Sequence, residues 1–273
     1  MVIKKVAGLL CVRGGSKRLL RKNARVCDGL KLMEYPLIAM LGSEYIEKVF
    51  VSTDDDEMKE VARYYNVEVI DRPYQLACDI AADSGVKLHA LKEIEERFGA
   101  DYVVMANATH PMILSKYIDN AYNILRNHGS AYQIGAVNQL VKGSQLNNHV
   151  TLLPNGTILP IFRRDSIGVN VFITTRQVEV YFSNGMFGIR EMDREYIKSI
   201  TTPDLDLSIE KYIAEFVDLY AKMEQKRVND GRLIEMGYLV DEYDAIDIHT
   251  IKDLKMAEHL LRYREEYEKE EIK

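Results

Sequence analysis

The stretch Val6–Val12, which reads VAGLLCV, decides how this chain is organised. Seven consecutive residues without a charge fit a β-strand that is buried on both faces, as strands of a parallel sheet are. The stretch runs directly into Arg13-Gly14-Gly15, so a tight cationic loop follows the strand. Because no small-residue cleavage site follows it, we expect a core strand here and not a signal peptide.

In the first half of the chain, the spacing of apolar residues alternates between that of strands and that of helices. Further β-rich runs occur at Val49–Ser52, Val67–Ile70 and Tyr102–Ala106. Helical spacing of apolar residues covers about 32–43, 56–65, 83–98 and 115–127. Such alternation indicates βαβ units and a mainly parallel sheet covered by helices, so the predicted fold class is α/β.

The region from about 138 to 185 interrupts this alternation. Turn-forming residues such as Pro154-Asn155-Gly156 separate short β-type pieces there, including Val169–Thr174. This pattern predicts a β-rich excursion from the main sheet, which is a candidate dimerisation contact. A long helix is expected after Thr250. No linker is evident, so we predict one domain over residues 1–273.

Charge and cysteine content narrow the functional classes. The net charge is −6, whereas a general nucleic-acid binder is expected to be basic. No apolar run approaches the roughly 20 residues that cross a bilayer, so we expect no membrane segment. The three cysteines (Cys11, Cys27 and Cys78) are odd in number and widely spaced, which predicts free thiols and a cytoplasmic location.

The segment 13–25, which we call the cationic loop, carries the densest chemical signal. It contains six cations and no acid, and the rest of the chain has a net charge of −12. The cations are Arg13, Lys17, Arg18, Arg21, Lys22 and Arg25. Ligands of doubly wound sheets bind beyond the carboxyl ends of the strands, and a glycine pair lets backbone N–H groups approach an anion closely. The segment therefore predicts a polyphosphate site, with a solvated basic loop that contacts an acidic partner as the alternative.

Two common phosphate motifs are absent from this segment. The sequence does not contain Gly-x-x-x-x-Gly-Lys-[Ser/Thr], and Gly14-Gly15 does not continue as Gly-x-Gly-x-x-Gly. Neither a P-loop NTPase nor a dinucleotide-dependent dehydrogenase is supported.

Asp247 and His249 form a second candidate site. If residues 246–248 are extended, both side chains point to the same side. Mg²⁺ usually takes one or two carboxylates together with the phosphates of the substrate. Alternatively, Asp247 caps a turn and His249 only precedes a helix. The histidines show no spacing typical of a zinc site, so we do not predict zinc.

Two further clusters contain residues that could contact a ligand. In the first, Arg72 could reach a ligand and Asp79 could orient it, although an internal ion pair between them is equally reasonable. In the second, Asn107 and His110 follow a predicted strand, at the same edge of the sheet. Asn107 could bind a base or a sugar hydroxyl, or it could simply form the turn.

Together these motifs resemble the acylneuraminate cytidylyltransferase family, the CMP-sialic acid synthetases and their relatives. The resemblance spans roughly residues 5–260 and preserves the order of the motifs. The matching segments are Arg13–Lys17 with Arg21–Asn23, Val51–Asp55, Arg72–Asp79, Asn107–Pro111, Asn184-Gly185 and Ile246–Thr250. The resemblance implies a Rossmann-like, three-layer nucleotidyltransferase fold with helices on both faces of the sheet.

The activity implied by the resemblance is transfer of CMP from CTP to a 2-keto sugar acid, with release of pyrophosphate. The family needs Mg²⁺ and is usually homodimeric, and its products serve surface glycan synthesis. The residues implied at the nucleotide are Arg13, Lys17 and Lys22 on the triphosphate, with Gly14, Gly15, Ser16, Asn23, Arg72 and Asp79 around it. The resemblance also implies Asn107 and Asn184 at the sugar, and Asp247 with His249 at the metal.

The sequence departs from the family pattern at the sugar and the metal. His249 stands where the family has a second aspartate, and imidazole is a poorer Mg²⁺ ligand than carboxylate. Asn107 replaces a glutamine and His110 replaces a serine. Asn184-Gly185 is followed by Met186-Phe187-Gly188, where the family more often has Tyr or Phe. These departures predict a divergent member, either with a sugar other than sialic acid or with weak activity.

Two alternatives remain at the level of the sequence. The first is a nucleotidyltransferase of the same fold that uses another base or acceptor. The second is a non-catalytic nucleotide-binding protein with a regulatory role, which the substitutions at Asn107 and His249 suggest.

Overall fold

The computed structural model describes residues 4–16, 19–128, 131–139, 149–152, 157–160, 180–232, 234–241 and 243–271. For residues 138–139, 149–152, 158–160, 180–185 and 265–271 only the backbone is described. Most of the predicted excursion over 138–185, including Val169–Thr174, therefore lies outside the described side chains. Lys17 and Arg18 also lie outside the described residues.

The described residues form eleven strands, nine of them in one main sheet. In chain order the strands are β1 (Val6–Cys11), β2 (Val26–Cys27), β3 (Leu30–Lys31), β4 (Ile46–Thr53), β5 (Glu68–Asp71), β6 (Tyr102–Ala106), β7 (Ala131–Gln139), β8 (His149–Leu152), β9 (Ile158–Pro160), β10 (Val180–Glu191) and β11 (Ile234–Leu239). The helices are a 3-10 turn at Lys22–Ala24, then α1 (Glu34–Leu41), α2 (Asp56–Tyr64), α3 (Tyr74–Ala77), α4 (Asp83–Arg97), α5 (Ser115–Asn127), α6 (Arg194–Ser199), α7 (Ile209–Asn229) and α8 (Ile251–Glu271).

The main sheet runs in the order β11-β7-β10-β6-β1-β4-β5. Pairings of β1 with β4 and β6, of β4 with β5, and of β7 with β11 are parallel. Strand β10 is inserted antiparallel between β6 and β7. Strand β8 pairs with the first residues of β10, and β9 pairs with β8 to form a short hairpin. The predicted α/β class with a mainly parallel sheet is confirmed.

Helices cover both faces of the sheet, as predicted. Alternate residues of β1 point to opposite sides: Val6 and Leu10 pack with α1, α2 and α5, whereas Ala7 and Leu9 pack with α4, α6 and α7. Both groups are at most 1% exposed, which explains why the strand is apolar throughout. A smaller cluster joins α8 to β2 and β3.

The start of α2 is capped by Asp55. Its carboxylate accepts from the backbone N–H of Met58 at 3.2 Å, while the Thr53 hydroxyl accepts from the N–H of Asp55 at 3.1 Å. Thr53 ends β4 and lies two residues before the cap, so its side chain does not cap the helix.

Among the described residues, no helix is both long and apolar enough to span a bilayer. The three cysteines, all within the described part, are free thiols.

Candidate nucleotide and acceptor site

The cationic loop leaves the sheet at the carboxyl end of β1, near its centre. Main-chain pairing continues one residue past the strand, where the N–H of Val12 donates to Ser52 at 3.0 Å. At Gly14 there is no room for a side chain, because a Cβ would lie 2.2 Å from a carboxylate oxygen of Asp55. At Gly15 a Cβ would meet nothing within 4 Å. The two glycines therefore differ: one fits against α2 and the other presents open backbone.

Two arginines of the loop are held by carboxylates. Arg13 lies 3.3 Å from Asp79, and both side chains are more than a third exposed. Arg21 lies 3.2 Å from Asp55 and also contacts Glu57. The exposed pair of Arg13 with Asp79 contributes little stability, so an incoming anion can displace Asp79 at small cost.

Lys22 joins the cationic loop to the opposite end of the chain. Its Nζ donates to the main-chain carbonyl of Ile248 at 2.9 Å. Within the loop, the side-chain amide of Asn23 donates to the carbonyl of Arg13 at 3.1 Å, which closes the loop on itself. Asp247 is the neighbour of Ile248, so this contact brings the predicted triphosphate residues and the predicted metal ligand to one place.

Asp247 lies between two histidines. One of its carboxylate oxygens is 3.1 Å from Nε2 of His249 and 3.8 Å from Nε2 of His110. The other oxygen is buried and has no hydrogen-bond partner among the described residues. His110 is 1% exposed, and this burial lowers the pKa of its imidazole below the usual range. His110 thus stands against Asp247 as a buried, neutral imidazole at pH 7.

The segment that carries Asp247 belongs to no strand of the described sheet. It is fixed instead by the N–H of Ile248, which donates to the carbonyl of Thr109 at 2.9 Å. Thr250 and Asp253 then form a reciprocal cap at the start of α8, with Asp253 accepting from the backbone of Thr250 at 2.6 Å. Asp247 and His249 are therefore held close together by the loop after β6 and by the helix cap.

Arg72 and Asp79 do not bond to each other. Nη2 of Arg72 donates to the carbonyl of Ser52 at 2.8 Å and Nε reaches the Ser52 hydroxyl at 3.3 Å. Arg72 is 9% exposed, and burial lowers the pKa of its guanidinium. Asp79 pairs with Arg13 instead. The internal Arg–Asp bridge considered from the sequence is absent, since Ser52 at the end of β4 is the nearer acceptor.

Asn107 lies exposed at the carboxyl end of β6. Its N–H donates to the carbonyl of Met186 in β10 at 3.1 Å. Its side chain lines a cavity of about 300 Å³ on the α4 side of the sheet, together with residues of α4, β7, β10 and β11. Asn184 belongs to β10, but its side chain lies outside the described part. Ser16 is half-buried in the loop.

Sequence reasoning missed most of the residues that line this cavity. Lys87, Gln133, Gly135, Gly188 and Arg190 come from three elements whose neighbours cannot be read from spacing. Because no strand was predicted around Gly135 or Gly188, the tendency of a strand glycine to mark a close approach by a ligand or another backbone could not be used.

Comparisons with known proteins agree with this arrangement. A family model described as Cytidylyltransferase matches residues 7–237. The chain is 27% identical to the N-acylneuraminate cytidylyltransferase of Escherichia coli O18:K1:H7 over 90% of its own length and 60% of that protein's. It is 38% identical to the CMP-N,N'-diacetyllegionaminic acid synthase of Campylobacter jejuni, over 33% of this chain and 38% of that one. The chain thus spans less than two thirds of the length of either relative.

Among solved structures, the fold is similar to that of a CMP:2-keto-3-deoxy-manno-octonic acid synthetase in complex with CTP. The TM-score is 0.65 at 15% identity, over 95% of this chain and 99% of that one. At this identity the likeness concerns the fold, and it supports the Rossmann-like nucleotidyltransferase architecture. With the family match over most of its length, this chain belongs to the cytidylyltransferase family.

Proposed function

We propose that this chain transfers CMP from CTP to the anomeric hydroxyl of an acidic 2-keto sugar, a sialic acid or related nonulosonic acid, and releases pyrophosphate. The observation that carries the proposal is the contact of Lys22 with Ile248, which joins the cationic loop to Asp247. The names of the relatives support a CMP-activated sugar acid as the product. The sugar would then enter surface glycan synthesis.

The triphosphate would lie over the cationic loop. Arg13, Lys17 and Lys22 supply positive charge, Arg as a planar fork and Lys as a point charge. The open backbone of Gly15, with Gly14 and Ser16, would donate N–H groups to phosphate oxygens. Asn23 keeps the loop closed through its bond to Arg13.

The remaining predicted nucleotide residues hold the loop from the side of the sheet. Arg72, fixed by Ser52 and buried, would place its charge beneath the nucleotide. Asp79 holds Arg13 until the triphosphate displaces it.

Asp247 fits as a ligand of Mg²⁺. Its buried, unpartnered oxygen offers a carboxylate position of the kind Mg²⁺ prefers. His249 fits less well, because an imidazole nitrogen replaces an oxygen donor. No three His, Cys, Asp or Glu side chains in the described part converge closely enough to hold a metal alone, so phosphate oxygens would complete the coordination. When bound, Mg²⁺ would neutralise charge on the departing pyrophosphate.

In the proposed reaction, the anomeric oxygen of the sugar attacks the α-phosphorus in line. A bond forms from this oxygen to phosphorus, the bond from the α-phosphorus to the β-phosphate oxygen breaks, and the hydroxyl proton passes to solvent or a nearby base. The chain contributes position and electrostatic stabilisation rather than covalent chemistry. Arg13 and Lys22 stabilise the leaving pyrophosphate, while Asn107 and Asn184 would hold the sugar. We also propose that the protein acts in the cytoplasm as a homodimer.

The test is pyrophosphate release with CTP, UTP, ATP or GTP, each with and without Mg²⁺, against a panel of sialic, legionaminic and 3-deoxy-octulosonic acids. We expect release with CTP and Mg²⁺ only, and loss of release in Lys17→Ala and Asp247→Ala. Release at the wild-type rate in either variant would contradict the role given to that residue.

A non-catalytic nucleotide-binding protein is the second candidate, which His249 in the metal site favours. It predicts thermal stabilisation by CTP, about 2.7 kcal/mol at a hundred times the dissociation constant, without release across the panel. Stabilisation by no nucleotide would contradict both candidates.

A further inference from the structure

Three glycines lie side by side across the strands that frame the cavity beside Asn107. In the register of the sheet, Gly188 of β10 is paired with Gly135 of β7, and Gly135 is paired with Gly237 of β11. On the other side, Gly188 is paired with Met105 of β6. We call the surface over Gly188, Gly135 and Gly237 the glycine trough.

Backbone conformation does not explain these glycines. None of the three has a positive φ, whereas Gly29, Gly99 and Gly231 do. A glycine within a strand weakens the strand, because it gains no packing and loses more conformational freedom on folding. Their presence in three adjacent strands therefore calls for another reason.

Space above the trough is open at the two glycines that line the cavity. A Cβ at Gly188 would meet only the carbonyl of Ile134, at 3.7 Å, and a Cβ at Gly135 only the carbonyl of Phe187, at 4.0 Å. No described side chain packs over either position. At Gly188 and Gly135 the trough is thus a floor of bare peptide groups, which a sugar ring can approach more closely than any surface of side chains, whereas Gly237 at its edge is buried.

A row of polar side chains borders the trough, each of them two positions away from a trough glycine in its own strand. Arg190 is paired with Gln133, and Gln133 with Glu235, in the same register. Arg190 is 6% exposed and lies 3.0 Å from Glu224, so its guanidinium is fixed, and Glu235 accepts from the Tyr132 hydroxyl. The side-chain amide of Gln133 makes no hydrogen bond to another described residue. It therefore stands between two fixed charges with donors and an acceptor to offer.

The other border of the trough lies at the carboxyl end of β6. Lys87, Met105 and Asn107 line the cavity there, and Nζ of Lys87 lies 2.5 Å from Asp83. The cavity, about 300 Å³, thus reaches from the glycines to Asn107, the residue predicted to contact the sugar.

We propose that the glycine trough seats the sugar ring of the acceptor, and that Gln133, between Arg190 and Glu235, selects the acceptor by bonding its hydroxyl or acylamino substituents. Gly188 and Gly135 are then specificity-determining residues, because any side chain there would occupy the place of the ring. This inference rests on the proposed function, since it names the acceptor subsite of the same reaction. The ligand class is a polyhydroxylated sugar acid that bears hydrogen-bonding substituents on its ring or tail.

The experiment measures binding apart from turnover. Saturation-transfer NMR would record the affinities of N-acetylneuraminic acid, legionaminic acid and 3-deoxy-octulosonic acid in the presence of CDP, which cannot release pyrophosphate. In Gly188→Leu we expect the affinity for the bound acid to fall by about tenfold or more. In Gln133→Leu we expect a fall of about fivefold, as for one lost hydrogen bond. Glu47→Leu, an exposed strand position on β4, is the matched control and should bind as the wild type does.

The outcomes separate this inference from the proposed function. The trough is contradicted if Gly188→Leu and Gln133→Leu both bind the acids as tightly as the wild type does. It is also contradicted if none of the acids binds the wild-type protein. If Gly188→Leu melts at a lower temperature than the wild type, Gly188→Ala decides, because its single methyl group has room in the folded chain. If the wild type binds an acid, the variants weaken this binding and no pyrophosphate is released from CTP, the trough is supported and the proposed function is contradicted. If pyrophosphate is released and the KM for the acid is unchanged in both variants, the proposed function is supported and the trough is contradicted.

Discussion

The cationic loop follows the carboxyl end of β1, the glycine trough lies on the α4 face of the same sheet, and the chain builds the two differently. The loop is one continuous stretch over residues 13–25, and two of its arginines are already paired with carboxylates, Arg13 with Asp79 and Arg21 with Asp55. The trough takes single residues from three strands, and Gly135 and Gly237 are about a hundred positions apart. The proposed triphosphate site can therefore be built from one local segment, whereas the proposed floor for the sugar ring needs residues from several strands.

This difference separates what could be predicted from the sequence from what could not. The four βα units were predicted because each depends on residues close together in the chain, and the roles given to the cationic loop and Asp247 stay predictions. For example, α5 was predicted over 115–127 and extends over Ser115–Asn127. The helices α6 and α7 and the strands β7 and β11 were not predicted as elements.

The largest effect is expected from Asp247→Asn. Removing the carboxylate that fits Mg²⁺ should lower the rate of pyrophosphate release by about 1000-fold, since several kcal/mol of charge stabilisation would be lost. Binding of the sugar acid in the trough should not change. Asp218→Asn, which removes a surface carboxylate of α7, is the control. A rate within a few-fold of wild type would remove Asp247 from the reaction.

The second prediction concerns the unequal glycines of the loop. Gly14→Ala forces a methyl group against the Asp55 carboxylate and should destabilise the protein by about 1–3 kcal/mol, as overpacking does. It should also abolish thermal stabilisation by CTP. Gly15→Ala should melt with the wild type and yet bind CTP more weakly. Equal melting temperatures for the two variants would show that the loop is not held against α2.

The trough was missed for a physical reason. A glycine in a strand looks the same in a sequence whether it admits a ligand, a bulge or a neighbouring backbone, and only the register shows that three of them are adjacent. Asp247 and His110 are a second example. They are 137 positions apart and come together because the loop after β6 bonds to Ile248.

A third prediction tests His249 as a ligand of the proposed Mg²⁺. His249→Asp restores a second carboxylate and should lower the Mg²⁺ concentration needed for half-maximal release by about tenfold, which corresponds to about 1.4 kcal/mol. His249→Asn, which is neutral and similar in size to aspartate, should not produce this change. An unchanged Mg²⁺ requirement in His249→Asp would place the ion away from this side chain.

The smallest effect is expected in α4, the helix that contributes Lys87 to the cavity over the trough. His89 is 8% exposed against Phe216, and burial lowers the pKa of its imidazole. The unfolded chain binds the proton first, so stability is full above the usual histidine pKa of about 6.5 and falls as the pH drops below it. Between pH 7 and pH 6 the free energy of unfolding should fall less in His89→Leu than in the wild type, by at most about 0.7 kcal/mol.

Melting curves at the two pH values measure this difference directly. His259→Leu, at an exposed position of α8, should keep the wild-type dependence on pH. The same pH dependence in His89→Leu and the wild type would mean that the buried imidazole does not contribute.

The bond from Lys22 to Ile248 spans 226 positions of the chain. On a ribosome that adds about 5–20 residues each second, about 10–45 seconds pass between the synthesis of Lys22 and that of Ile248. The first βα units can fold during that interval, because β1, α1, β4 and α2 contact one another without the distant segment. A nascent chain would thus carry a folded core before the bond from Lys22 to Ile248 can form, and the cationic loop would reach its final arrangement only after residue 248 has been made.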